Sequence, residues 1–186
     1  MVPDDEWMSY PRLCAAGGLQ TIAPAGSMEA IGAAVALDAK EVSIVLEDLD
    51  YFEKVLRKFS GHTVFNVELN EFEAEKMTKT VSLLKQYECE KYVYFTSDKA
   101  EVLEQVKAVM PNARLCFAGD IETAVQIGAK KVQFSKENVT VDLIEKAHAQ
   151  GLICNLAYVE DVEEAERYYR VGIDTIFTRD YKKVCR

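Results

Sequence analysis

Residues 140–180 read TVDLIEKAHAQGLICNLAYVEDVEEAERYYRVGIDTIFTRD, and the order of elements in this stretch decides the fold. Thr140 can cap a helix, and Gly151 stands at its end, where a left-handed backbone costs glycine little. The β-type run LICNLAYV follows from Leu152. Asp161 with Glu164 then opens another helix, Gly172 closes it, and DTIFT from Asp174 forms the next strand. Strands separated by single helices are the signature of a parallel sheet with crossover helices.

The same alternation extends back to the N-terminus. Further strands are expected at RLCAA from Arg12, VSIVL from Val42, TVFNVEL from Thr63, KYVYFT from Lys91, ARLCFA from Ala113 and KKVQF from Lys130. With the two above, that makes eight, the number that closes a (β/α)8 TIM barrel. Ser27, Asp120 and the pair Asp98 with Glu101 are expected to cap three of the intervening helices, and Gly128 to stand at the end of one. At 186 residues the chain is read as a single domain, 1–186, and is short for such a barrel, which usually takes about 250 residues. Short loops and a reduced eighth helix follow, because YKKVCR is too short to cover its share of the sheet. Either the segment PDDEWMSYP or a second copy of the chain, making a homo-oligomer, is expected to cover that side.

Composition narrows the function. A formal net charge of -9, with no stripe of lysine and arginine, argues against nucleic acid as a partner. The opening MVPDDEW is acidic where a secretory signal would be basic, and no apolar run nears the roughly 20 residues of a membrane span, so a cytoplasmic protein is expected. The five cysteines form no framework or CxxC spacing and no Cys/His cluster that would suggest zinc. They are read as reduced structural thiols, with Cys14, Cys116 and Cys154 packed as small hydrophobes in strands.

In a barrel of this type chemistry sits at the C-terminal ends of the strands. That rim receives Ala15, Ala16 and Gly17 from the first strand, Glu47, Asp48 and Asp50 after the second, and Glu68 and Asn70 from the third. It also receives Ser97, Asp98, Asp120, Ser135, Lys136, Glu137, Tyr158, Glu160, Thr178, Arg179 and Asp180. Many of these are ordinary helix caps.

These residues resemble the glycerophosphodiester phosphodiesterase family. The family's first strand ends in His-Arg-Gly and leads to a Pro-Glu-Asn-Thr helix start; here the frame reads Ala15-Ala16-Gly17 and then Pro24-Ala25-Gly26-Ser27. Its Glu-x-Asp on the second strand falls on Ser43-Ile44-Val45, and its third-strand glutamate and lysine fall on Glu68 and Asn70 of FNVELN. The C-terminal match is closest, GLICNLAYVE and GIDTIFTRDY standing for "GxxVxxWTVN" and "GVDGIITDxP".

The resemblance implies a barrel of a phosphoric diester hydrolase family in lipid metabolism, whose active members use a carboxylate-held divalent metal and a pair of histidines. Such groups neutralise charge developing on phosphorus and exchange protons near neutral pH. In this chain Ala15, Ala16, Ser43 and Val45 occupy the positions of the histidine, arginine, glutamate and aspartate, and the loop carrying the second histidine is missing. The histidines present, His62 and His148, fall away from the rim. A degenerate member is therefore expected, retaining at most a small phosphorylated or anionic ligand or a regulatory role. One alternative is an active hydrolase rebuilt around Glu68, with magnesium or calcium held by Glu68 and by Glu47, Asp48 and Asp50. Another is a structural, oligomerising barrel.

Candidate ligand contacts are Gly17 and Gly18, Glu68, Asn70, Lys136, Tyr158 and Arg179. Each has a plainer reading. The glycine pair makes a tight turn, Glu68 pairs with Lys136 or Arg179 across the mouth, and Asp48 and Asp50 begin a helix.

Overall fold

A computed structural model describes residues 9–185. Eight parallel strands close in sequence order into a barrel, β1 pairing with both β2 and β8. The strands are β1 (Arg12–Ala16), β2 (Glu41–Val45), β3 (Val64–Glu68), β4 (Val93–Ser97), β5 (Arg114–Phe117), β6 (Lys131–Ser135), β7 (Ile153–Ala157) and β8 (Thr175–Thr178). The helices are α1 (Met28–Ala36), α2 (Leu49–Phe59), α3 (Ala74–Gln86), α4 (Ala100–Val109), α5 (Ile121–Gln126), α6 (Val141–Ala149), α7 (Val162–Arg170) and α8 (Tyr181–Val184). All eight expected strands are present, and the eighth helix is reduced to four residues. Among the described residues no helix is long and apolar enough to cross a membrane.

Local chemistry explains most boundaries. The side chains of Ser27, Asp120, Thr140 and Asp161 accept from the backbone N–H three residues on, as the capping pattern requires. The expected Asp98 cap does not form. The cap position of α4 is Lys99, and its N–H donates to Ser97 Oγ at 3.2 Å, because the end of β4 supplies the acceptor one turn earlier.

Strand alternation divides the barrel wall into two faces. Val42, Ile44, Val67, Phe95, Val132, Leu156 and Ile176 face outward and form the main apolar core with Ile31, Leu56, Leu84, Leu103 and Ile144 of the helices. Each such side chain contributes about 1.5–3 kcal/mol of burial. The inward face is polar. Lys131 of β6 lies 3.6 Å from Glu41 of β2 and 4.0 Å over the Tyr94 ring of β4, contacts that non-neighbouring strands can make only through the interior. Arg12 donates to Glu41 at 3.2 Å and Asn66 does so at 3.3 Å, so the N-terminal end of the barrel is filled by a charge cluster.

The short α8 leaves a groove of about 300 Å³ lined by Pro11, Leu13, Tyr169, Tyr181 and Val184. Ser9, Tyr10 and Pro11 belong to the segment expected to cover this side, and the rest of that segment lies outside the described residues. Tyr169 packs against the core and donates to the Arg12 carbonyl at 2.8 Å.

Candidate functional site

The C-terminal ends of β1, β2, β3 and β8 open into a cleft of about 680 Å³. Ala16, Ser43 and Val45 line it because alternate residues of a strand share a face, and the register sets Ala16 beside Ser43 and Val45 beside Glu68. Gly17, Tyr158 and Arg179 complete the strand-end lining, and Ser27 and Glu29 bring in the start of α1. Ala15, one residue out of phase, is wholly buried in the apolar core instead.

The glycine pair is a turn and not an anion cradle. Gly17 N–H donates to the Ser43 carbonyl at 2.8 Å and Gly18 N–H to the Ala15 carbonyl at 3.2 Å, so both donors are already used. Both residues have positive φ, +67° and +86°, and a Cβ on Gly18 would lie 2.4 Å from the Ala30 backbone. Only glycine lets the loop pack this closely on α1.

Glu68 keeps the carboxylate that the resemblance places on the third strand. Burial pushes its carboxyl above the usual carboxylate range, and the Ser43 hydroxyl partly offsets this. The expected partners are engaged elsewhere. Lys136 reaches Glu164 of α7 at 3.5 Å, and the Arg179 guanidinium stacks 4.0 Å over the Tyr158 ring. Among the described residues no ion pair holds Glu68.

Glu160, in the family's asparagine position, has a structural task. Its carboxylate accepts from Thr178 Oγ1 at 3.0 Å, from Arg179 N–H at 3.1 Å and from Asp180 N–H at 3.0 Å. It thereby fixes the turn from which Arg179 projects. Burial also pushes the Tyr158 phenol up, with the Glu68 charge adding and Arg179 opposing. Asn70 is exposed beyond β3, its carbonyl accepting from Lys99 Nζ at 2.9 Å, and it does not line the cleft. His62 is exposed before β3, at the opposite end of the barrel.

The lining does not supply the metal shell that the resemblance implies. Ser43 and Val45 replace carboxylates, Asp48 is spent capping α2 through Tyr51 N–H at 2.6 Å, and Asp50 lies on another surface with Glu73 and Lys76. Among the described residues Glu47, Asp48 and Asp50 do not gather with Glu68 within one ion's reach.

Sequence reasoning missed Gln20, Glu29 and Tyr51 as cleft residues. Tyr51 donates to the Gly26 carbonyl and ties α2 to the loop before α1, a contact between distant segments with no local signal. A second cleft of about 540 Å³, bounded by Gly119, Asp120, Gln133, Ser135 and Asn138, shares Tyr158 with the first. The Tyr158 ring therefore borders both halves of the mouth.

A closed eight-stranded parallel barrel with clefts at its C-terminal mouth defines a TIM barrel. No family model matches the chain, and no curated protein matches it. Solved structures do match, glycerophosphodiester phosphodiesterases among them. A phosphodiesterase of Oleispira antarctica, in complex with the product sn-glycerol-3-phosphate, is 16% identical with a TM-score of 0.83, over 94% of this chain and 95% of that one. A glycerophosphodiester phosphodiesterase of Parabacteroides distasonis is 12% identical with a TM-score of 0.80, over 93% and 94%. The Thermotoga maritima enzyme is 12% identical with a TM-score of 0.75, over 92% and 96%. At these identities the likeness is one of fold, and it extends over nearly the whole of each chain.

Proposed function

We propose that this chain is a glycerophosphodiester phosphodiesterase-like barrel that binds a small phosphorylated or anionic ligand at its mouth without the family's hydrolysis. One observation carries the reading: Ala16, Ser43 and Val45, at the positions of the family's arginine, glutamate and aspartate, line one cleft together. Phosphodiester hydrolysis needs charge neutralisation at phosphorus and a proton donor for the leaving alcohol. Neither the alanine nor the valine supplies a polar group, and the serine hydroxyl is turned to the Glu68 carboxyl.

The charge of the lining limits the ligand. Arg179 and the N-terminal end of α1 favour negative charge, while Glu29, Glu47, Asp48 and Glu68 oppose it. One guanidinium against four carboxylates suits a single negative charge, as on a phosphodiester, better than a dianion.

The test is release of glycerol 3-phosphate from a glycerophosphodiester panel with magnesium, calcium or manganese, run beside thermal shift with the same compounds. The expected outcome is no turnover above that of Glu68→Gln, with stabilisation that Arg179→Gln weakens by more than about tenfold in apparent affinity. A second reading rests on the desolvated Glu68 carboxyl in the cleft: metal-dependent turnover that Glu68→Gln abolishes marks a rebuilt hydrolase. Absence of both turnover and stabilisation removes the ligand-binding reading.

A further inference from the structure

Where α6, β7 and β8 meet, away from the mouth, three potential metal donors converge: an imidazole (His148), a thiol (Cys154) and a carboxylate (Asp174). Their ligand atoms all lie within 4.8 Å of one another, and this is the one such group among the described residues. His148 Nε2 is 2.8 Å from Asp174 Oδ2, and the same oxygen accepts from the Cys154 backbone N–H at 2.8 Å. The carboxylate is thus held against the strand that carries the thiol. Gly172 leaves room for the imidazole, because a Cβ there would stand 3.2 Å from His148 Cε1.

We propose that His148, Cys154 and Asp174 form a zinc site that clips α6 to β7 and β8. Nitrogen, sulfur and carboxylate oxygen make a donor set that zinc accepts in tetrahedral geometry. With bonds of about 2.0–2.3 Å, tetrahedral donors stand roughly 3.3–3.6 Å apart. The imidazole and carboxylate therefore open slightly from hydrogen-bond distance, and the thiol closes by about an ångström, within the reach of side-chain rotation.

Entry is from solvent past His148 and Asp174, whose side chains are 39% and 25% exposed, with the buried thiol beneath them. Without metal the Cys154 thiol is directed to the Ile144 carbonyl at 3.9 Å, and burial with the neighbouring Asp174 charge pushes it up to about 12. On binding, Zn²⁺ takes the place of the thiol proton, which leaves to solvent, and of the Nε2 proton facing Asp174, the neutral imidazole then carrying its hydrogen on Nδ1; the sulfur becomes a zinc-bound thiolate. No electron transfer is involved. Water completes the fourth position, and the Asp174 carbonyl, which accepts from Arg12 N–H at 2.8 Å, links the clip to the β8–β1 closure of the barrel.

The experiment is titration of the full chain, reduced and metal-free, with Co²⁺ as a spectroscopic substitute, followed by displacement with Zn²⁺. The expected result is one equivalent bound with a thiolate-to-cobalt charge-transfer band that zinc removes. The band should be absent in Cys154→Val, retained in Cys185→Ser, and need more than about tenfold more cobalt in His148→Gln. A wild-type protein without the band, or a band surviving Cys154→Val, overturns the proposal. If Cys154→Val does not fold, His148→Gln decides, and cobalt affinity unchanged in that variant overturns it equally.

Discussion

Glu41 and Glu68 point into the same barrel from neighbouring strands, yet their surroundings are opposite. At the N-terminal end Glu41 is fully buried beside Arg12 at 3.2 Å and Lys131 at 3.6 Å. At the mouth Glu68 has burial with no ion-pair partner among the described residues, and burial raises its carboxyl. A buried ion is tolerated where partners surround it, whereas a desolvated carboxyl without them is costly and marks a place shaped for something other than stability. The comparison assigns stability to one end of the interior and any ligand to the other.

The largest expected effect lies at the closed end. Glu41→Ala leaves two buried cations facing each other and should cost about 3–5 kcal/mol in urea-induced unfolding. A loss below about 1 kcal/mol would break the contrast, because Glu41 would then be as dispensable as a surface acid. Next, Gly18→Ala forces a Cβ into the Ala30 backbone at a positive φ and should cost about 1–3 kcal/mol. The first loop would then be shown to be rigid architecture.

Asp48→Ala removes the cap of α2 at the edge of the cleft and should cost about 1 kcal/mol. If magnesium or calcium stabilises the wild type and this variant loses that gain, Asp48 is a metal ligand as well as a cap.

Glu68→Gln is the smallest and sharpest test. A carboxyl raised in the folded state binds a proton there more readily than in the unfolded chain. Its contribution is therefore full below the ordinary carboxylate value and declines as pH rises through the raised one. Glu68→Gln removes that decline, so the variant should gain on the wild type as pH rises above the ordinary carboxylate range. Parallel melting temperatures across that range would mean that Glu68 has a partner in solution, and the two ends would no longer differ.

How much was legible depends on the range of the interaction. Eight strands, the short final helix and the caps Ser27, Asp120, Thr140 and Asp161 could be read locally, because alternation and capping involve residues a few positions apart. Asp98 failed within the same range, where Ser97 competed for the turn. At the site, Ala16, Glu68, Tyr158 and Arg179 were placed at the rim by strand counting, Ser43 and Val45 were singled out by the resemblance, and all six line the cleft. Their partners were not legible. Arg179 is stacked on Tyr158, Lys136 is drawn to Glu164, and the Gly17 and Gly18 donors are used by the Ser43 and Ala15 carbonyls.

The sequence by itself determined the alternation, the number of strands and which residue types stand at the strand ends, because these are matters of order and identity along the chain. Only the tertiary structure decided that Glu41 meets Lys131, that Glu68 has no ion-pair partner among the described residues, and that His148, Cys154 and Asp174 come together from α6, β7 and the start of β8. The physical reason is closure: bending the sheet until β8 pairs with β1 turns one face of every strand toward a common centre. Which charges meet there depends on register and stagger around the whole ring.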